Sequence, residues 1–177
     1  MNIIARRIAP AFVLSLLIGF VNGARAQSAS DVTQESTKAV SQAQGYAFYS
    51  IGALTCDGDS VATMHVGGGG ELFAYRGFGL GGELGYLAPH QDWAVGVGVL
   101  SLDGSYHFAR HGKWVPFVTG GYTLGFRSGY AGAINYGGGV QYWFKPKQGI
   151  RVEFRDIMDY SCGQCHALGL RIGYAFR

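Results

Sequence analysis

Two groups of residues in this sequence have types and spacings that could do chemistry. Within SCGQCH, Cys162, Cys165 and His166 form Cys-x-x-Cys-His, the spacing used for covalent haem attachment. Adding Cys56, the only other cysteine, gives three thiols and an imidazole, a set suited to tetrahedral zinc. In an oxidising compartment the same cysteines would instead form a disulfide: Cys162 with Cys165, or Cys56 with either. Spacing alone does not fix the connectivity. Ser105 and His107 stand two residues apart, so on an extended chain they share a face. They are a nucleophile and a base that lack only an acid for ester hydrolysis. Which of these chemistries is realised depends on the elements that carry the residues.

The first 26 residues read as an export signal. Arg6 and Arg7 precede an apolar run, Ala11 to Val21, and Ala24-Arg25-Ala26 is a small-x-small cleavage site. The whole chain has 14 basic and 11 acidic residues, a net +3. Removing Arg6, Arg7 and Arg25 with the signal leaves eleven of each sign. The apparent basicity therefore points to no nucleic-acid partner. Residues 27–44 are polar and aperiodic, a flexible lead-in.

From residue 45 to 177 the composition is that of a β protein. The chain has 30 glycines and 25 aromatic residues (11 Phe, 11 Tyr, 3 Trp) against four prolines, and glycine at that density opposes helices. Brief basic turns begin at Arg76, Arg110 and Lys145, 34 and 35 residues apart, and mark a repeating hairpin. Eight strands are predicted, at about 46–54, 61–75, 78–88, 94–109, 114–126, 133–144, 149–159 and 166–176. The last alternates most clearly, with Leu168, Leu170, Ile172, Tyr174 and Phe176 on one face and Arg171 among small residues on the other. Strand seven sets Ile150, Val152 and Phe154 against Arg151, Glu153 and Arg155. Read by alternation, strand four changes phase near Leu100 and strand one is ambiguous, and bulges would explain both.

A soluble sandwich would turn its apolar face inward. Here the apolar face is crowded with aromatics near the strand ends, and the other face mixes glycine with charges of both signs. That is the pattern of a transmembrane barrel, apolar outside and polar inside, with aromatic girdles at both interfaces. The segments GFGLGGELGYL, GSYHF, PFVTGGYTLGFRSG, YGGGVQYWFKP, GIRVEFRD and LGLRIGYAFR resemble the small eight-stranded outer-membrane β-barrel proteins of the OmpA/OmpX-like kind, closest to the outer membrane protein beta-barrel domain family. The closing alternation also resembles their assembly signal, with one departure: Arg177 follows Phe176. The resemblance implies an all-β, antiparallel up-and-down barrel in the cell outer membrane, recognised by the barrel assembly machinery.

The lumen-facing charges expected from this reading are Glu71, Glu83, Arg127, Arg151, Glu153, Arg155 and Arg171, together with Asp103. An eight-stranded barrel is only wide enough to be filled by its own side chains, so these charges must pair. A Glu–Arg network centred on Glu71, Glu83, Glu153, Arg151 and Arg171 would then plug the lumen. The functional expectation is a non-enzymatic, monomeric porin-like barrel with a structural or surface-interaction role and no cofactor. Its basic turns (Arg76, Arg110, Lys113, Lys145, Lys147) would touch outer-membrane lipids. A barrel-embedded lipid hydrolase is the alternative, and an exported c-type cytochrome, with His65 or Met158 as axial ligand, is the lesser one. The Gly67–Gly70 run lacks the Lys-Ser/Thr of a phosphate loop and marks a bend or a place where bulky neighbours need room. For the cysteines, a disulfide is the expectation, with Cys56, Cys162 and Cys165 all candidates.

Overall fold

The computed structural model describes residues 42–159 and 165–177. The expected signal, most of the lead-in, and Cys162 lie outside the described residues. Eight strands follow in chain order: β1 (Ala43–Cys56), β2 (Asp59–Tyr75), β3 (Phe78–Pro89), β4 (Val97–His107), β5 (Trp114–Phe126), β6 (Tyr130–Lys145), β7 (Gln148–Asp159) and β8 (Cys165–Phe176). Each pairs antiparallel with the next, and β8 pairs back onto β1 to close the barrel. β1 starts at Ala43, two residues before the expected boundary at 45. Gln44 resembles the polar lead-in but is buried, because its amide Nε2 donates to Glu71 Oε2 at 2.6 Å inside the ring.

Alternation sorts the side chains into two environments. On β7, Ile150, Val152 and Phe154 point outward while Arg151, Glu153 and Arg155 are buried. On β8, Leu168, Leu170, Ile172, Tyr174 and Phe176 are exposed and Arg171 is 3% exposed. Leu80 (71%), Leu102 (68%) and Leu72 (60%) belong to the same outward belt. Water would penalise each such side chain by about 25 cal/mol per Å² of apolar area; a bilayer does not. Aromatic rings cluster at the ends of that belt. Phe78, Tyr106 and Phe108 touch in sequence near one rim, as do Trp114 and Tyr142, and Tyr86 stacks with Trp93 toward the other.

Two of the irregular strands resolve without bulges. β4 runs from Val97 with unbroken register against β3 and β5. The expected start at 94 falls in a short 3-10 turn, Trp93–Val95, where the Asp92 carboxylate accepts a hydrogen bond from the Ala94 amide at 2.9 Å. Counting that turn into the strand, and meeting the inward-facing Val99, produces the false change of phase. β1 is equally regular, but it turns Tyr46 and Phe48 into the lumen. The register shifts lie instead at Phe73/Tyr75 and Trp143/Lys145, each beside a tight basic turn.

Gly67 and Gly69 of the Gly67–Gly70 run make room for those two rings. Phe48 pairs with Gly67 and Tyr46 with Gly69 across the β1–β2 ladder. A Cβ at Gly67 would meet the Phe48 ring at 2.8 Å, and one at Gly69 the Tyr46 hydroxyl at 2.9 Å, so only glycine leaves room. The β1–β2 connection is a two-residue turn at Asp57 (φ 50°) and Gly58 (φ 97°), the positive-φ pair of a tight hairpin, where a longer loop was expected.

Cys56 and Cys165 lie opposite each other where the first and last strands meet, and they form a disulfide. This is one of the three expected pairings. It closes a separation of 109 residues, for which loop-closure entropy gives about 4.7 kcal/mol as an upper figure. Reduction, or Cys56→Ser, is therefore expected to lower the unfolding free energy by up to ~4 kcal/mol. Urea titration of tryptophan fluorescence in lipid vesicles, with and without reductant, measures the difference.

Candidate functional site

The strand parity that builds the apolar wall sends three successive β7 side chains, Arg151, Glu153 and Arg155, into the ring. Glu153 bridges the two arginines: Arg151 Nε donates to Oε2 at 2.9 Å, and Arg155 Nε to Oε1. Toward the end that carries both termini, Arg151 Nη1 donates to Glu71 Oε1 at 3.1 Å, and Gln44 holds the other oxygen. His107 Nε2 lies 2.9 Å from Glu71 Oε2, within ion-pair range although off the line that a hydrogen bond needs. Toward the other end, Arg155 Nη1 donates to Asp103 Oδ2 at 2.8 Å and to Asn135 Oδ1 at 3.2 Å. Asn135 Nδ2 returns to Asp103 Oδ1 (2.8 Å) and to Thr123 Oγ1 (3.0 Å).

Arg171 on β8 forms the second centre. Its Nη1 donates to both Glu83 oxygens, at 2.9 and 3.0 Å. Its Nη2 is 3.1 Å from His65 Nδ1. A guanidinium only donates, so His65 Nδ1 accepts and the ring proton sits on Nε2. Aromatic faces complete the coordination of the cations. Arg151 lies 3.9 Å from the Phe117 centroid and 4.4 Å from Tyr46, and Arg171 lies 4.4 Å from Phe48.

Of the expected residues, Glu71, Glu83, Arg151, Glu153, Arg155 and Arg171 lie together in this buried network, as does Asp103. Arg127 does not. It sits in the exposed β5–β6 loop and its Nη2 donates to the Ala94 carbonyl at 2.9 Å; β5 ends at Phe126, one residue too soon to carry it inside. His65, His107, Asn135 and Gln44 complete the network although they were not expected in it. Parity alone was enough to place His65, His107 and Asn135 on the inward face, whereas Gln44 fell in the segment read as lead-in. The network sets the carboxylates of Glu71, Glu83, Asp103 and Glu153 against three arginines.

The arrangement bears on the other chemistries. Ser105 and His107 do share the lumen face, both buried, but His107 is turned to Glu71 and Ser105 Oγ has no hydrogen-bond partner among the described residues. Cys165 is bonded to Cys56 rather than free for a haem or a metal. His65 points into the lumen beside Arg171, while Met158 is the cross-strand neighbour of His166 on β8, so the two do not converge. Two gaps in the lumen, one beside His65 and Arg155 and one beside Gln141 and Arg177, hold about 10 Å³ each, roughly the space of one water.

Comparison with solved structures shows the fold. Neisserial surface protein A (NspA) matches with a TM-score of 0.65 at 10% identity, over 77% of this chain and 97% of that one. Ail, the attachment invasion locus protein of Yersinia pestis, matches at 0.52 and 14% identity, over 76% and 99%. The outer membrane enzyme PagL matches at 0.50 and 16% identity, over 75% and 99%. No protein-family model matches the sequence, and no curated protein does. The chain thus has the eight-stranded outer-membrane β-barrel fold, and its apolar outer wall places it in the outer membrane. The same fold carries an enzyme as well as surface proteins, so activity has to be argued from the residues.

Replacing Glu153 by Gln leaves Arg151 and Arg155 facing each other without their shared carboxylate. Breaking a buried pair in this way is expected to cost about 3–5 kcal/mol. The exposed Arg127→Gln is expected to stay within about 0.5 kcal/mol of the parent. Equilibrium unfolding of the two variants in lipid vesicles measures the contrast.

Proposed function

We propose that this protein is a non-enzymatic outer-membrane barrel with a structural or surface-interaction role, its lumen plugged by the Glu/Arg network. The observation that carries this reading is the filled interior. Seven ionic side chains, each at most 6% exposed, pair with one another, and the two gaps beside them hold about one water each. A substrate has no room, and an ion crossing the ring would have to displace a paired charge.

The reading extends to partners. The outward apolar wall would contact outer-membrane lipids, and the alternating β8 that ends in Phe176 and Arg177 would be presented to the barrel assembly machinery. At the end opposite the termini, the hydrogen bond from Arg127 to Ala94 ties the β5–β6 loop to the β3–β4 loop, and Tyr130 is 82% exposed. A small tethered platform of this kind suits contact with another surface better than transport.

In planar bilayers the purified barrel is expected to give no stable single-channel currents, and with lipid A or phospholipid it is expected to release no fatty acid. Steady ion conductance would overturn the plug. Fatty-acid release that disappears in Ser105→Ala would overturn the non-enzymatic reading in favour of a lipid hydrolase.

A further inference from the structure

Glycines on the outer wall behave differently from those that make room for Phe48 and Tyr46. Gly104 on β4 and Gly120 on β5 are cross-strand partners, and both have the outward parity of Leu102 and Val118. Together they remove two side chains from the wall at one level. No packing demands this. A Cβ at Gly104 would meet nothing closer than 3.8 Å, and one at Gly120 nothing closer than 3.5 Å, which is ordinary contact. Glycine inside a strand weakens it and often marks a close approach by something else. The notch forms the floor of an apolar groove of about 520 Å³, walled by Phe78, Leu80 and Val118.

A second cavity, also of about 520 Å³, opens at the rim that carries the chain termini and abuts the groove, sharing Ala74 and Tyr106 with it. Ala74, the extra residue at the β2 register shift, lines both spaces. This chamber is basic. Arg76, Arg110, His107 and His111 line it, and no Asp or Glu does among the described residues. The Arg110 guanidinium is stacked 3.6 Å from the Phe73 centroid, and that of Arg76 lies 5.0 Å from Tyr75. Burial, and after it the nearby Arg177, lower the Arg110 pKa from the usual arginine value, as crowded cations do.

An apolar slot on the lipid-facing wall, next to a cationic chamber at the membrane rim, matches one kind of molecule. We propose that the two cavities bind a single anionic glycerophospholipid from the adjoining leaflet, its phosphate in the Arg76/Arg110 chamber and an acyl chain over Gly104 and Gly120. Each cavity falls within the ~300–1,000 Å³ range of small-molecule sites. The proposal rests on the barrel lying in a membrane and not on the plugging of its lumen.

Native mass spectrometry of the full barrel, released from detergent containing equimolar phosphatidylglycerol and phosphatidylcholine, tests it. The expected result is one retained phosphatidylglycerol in preference to phosphatidylcholine. The double variant Arg76→Gln/Arg110→Gln should lose about 25-fold in retention, at about fivefold for each surface arginine. Gly104→Leu, whose Cβ would meet nothing closer than 3.8 Å, should lower retention of either lipid, whereas Lys145→Gln/Lys147→Gln at a neighbouring turn should leave it unchanged. Heat-modifiable gel migration verifies that each variant is folded. The proposal is overturned if the two lipids are retained equally, if Gly104→Leu binds like the parent, or if the Lys145/Lys147 variant loses as much as the arginine variant. Displacement by inorganic phosphate combined with an unaffected Gly104→Leu would show a phosphate site alone and would equally overturn it.

Discussion

The constraint on which the rest of the structure depends is the width of an eight-stranded ring. Its interior accommodates side chains and little else, yet strand parity sends seven ionic groups there. Removing an ion from water costs several kcal/mol even after relaxation, and only close, complete pairing offsets that cost. The pairs that achieve it are remote in sequence. Arg151 and Glu71 are 80 residues apart, Arg171 and Glu83 are 88, and Arg155 and Asp103 are 52. A slip of one residue at any ladder would turn these groups to the lipid side, at about 2–4 kcal/mol for each arginine near the bilayer midplane. The network therefore holds the register of all the strands that contribute to it.

Apolar volume and covalent closure act at opposite ends of the same ring. Tyr46, Phe48, Val115, Trp143 and Ala175 form a buried cluster in the lumen toward the end that holds the termini. Arg151 and Arg171 lie over rings of this region, so it also serves as the face on which the cations rest. At the other rim the Cys56–Cys165 bond fastens the β1–β8 seam, the one junction that joins the two ends of the chain. Between the two, Gly67 and Gly69 show how tightly the volume is matched, since a single Cβ would collide with a lumen ring.

Period-two alternation made most of this legible in the sequence. Along most of β6, β7 and β8 apolar and polar residues fall on opposite faces, so Arg151, Glu153, Arg155 and Arg171 could be assigned inward by counting. Counting fails where a residue's type disagrees with its side of the wall. Tyr46, Phe48 and Val99 are apolar and face the lumen, which is why β1 and β4 read poorly. Gln44 looks like linker but works as a ligand to Glu71. Arg127 lies one residue beyond the end of β5, and strand ends are set by the loop hydrogen bonds rather than by periodicity. The disulfide needed one fact absent from spacing, the β1–β8 register that puts Cys56 against Cys165.

A filled interior also decides where recognition can occur. With the lumen committed to its own ion pairs, a partner must be met on the rims or on the outer wall, which are the only surfaces with free shape. The glycines separate these roles. At Gly67 and Gly69 the missing side chain is replaced by an aromatic ring of the protein itself. At Gly104 and Gly120 an added Cβ would meet nothing closer than 3.5 Å. The wall lacks two side chains there, beside turns that gather Arg76, Arg110 and His111. That combination is intelligible if the wall is shaped for a molecule of the membrane and not only for the membrane as a solvent.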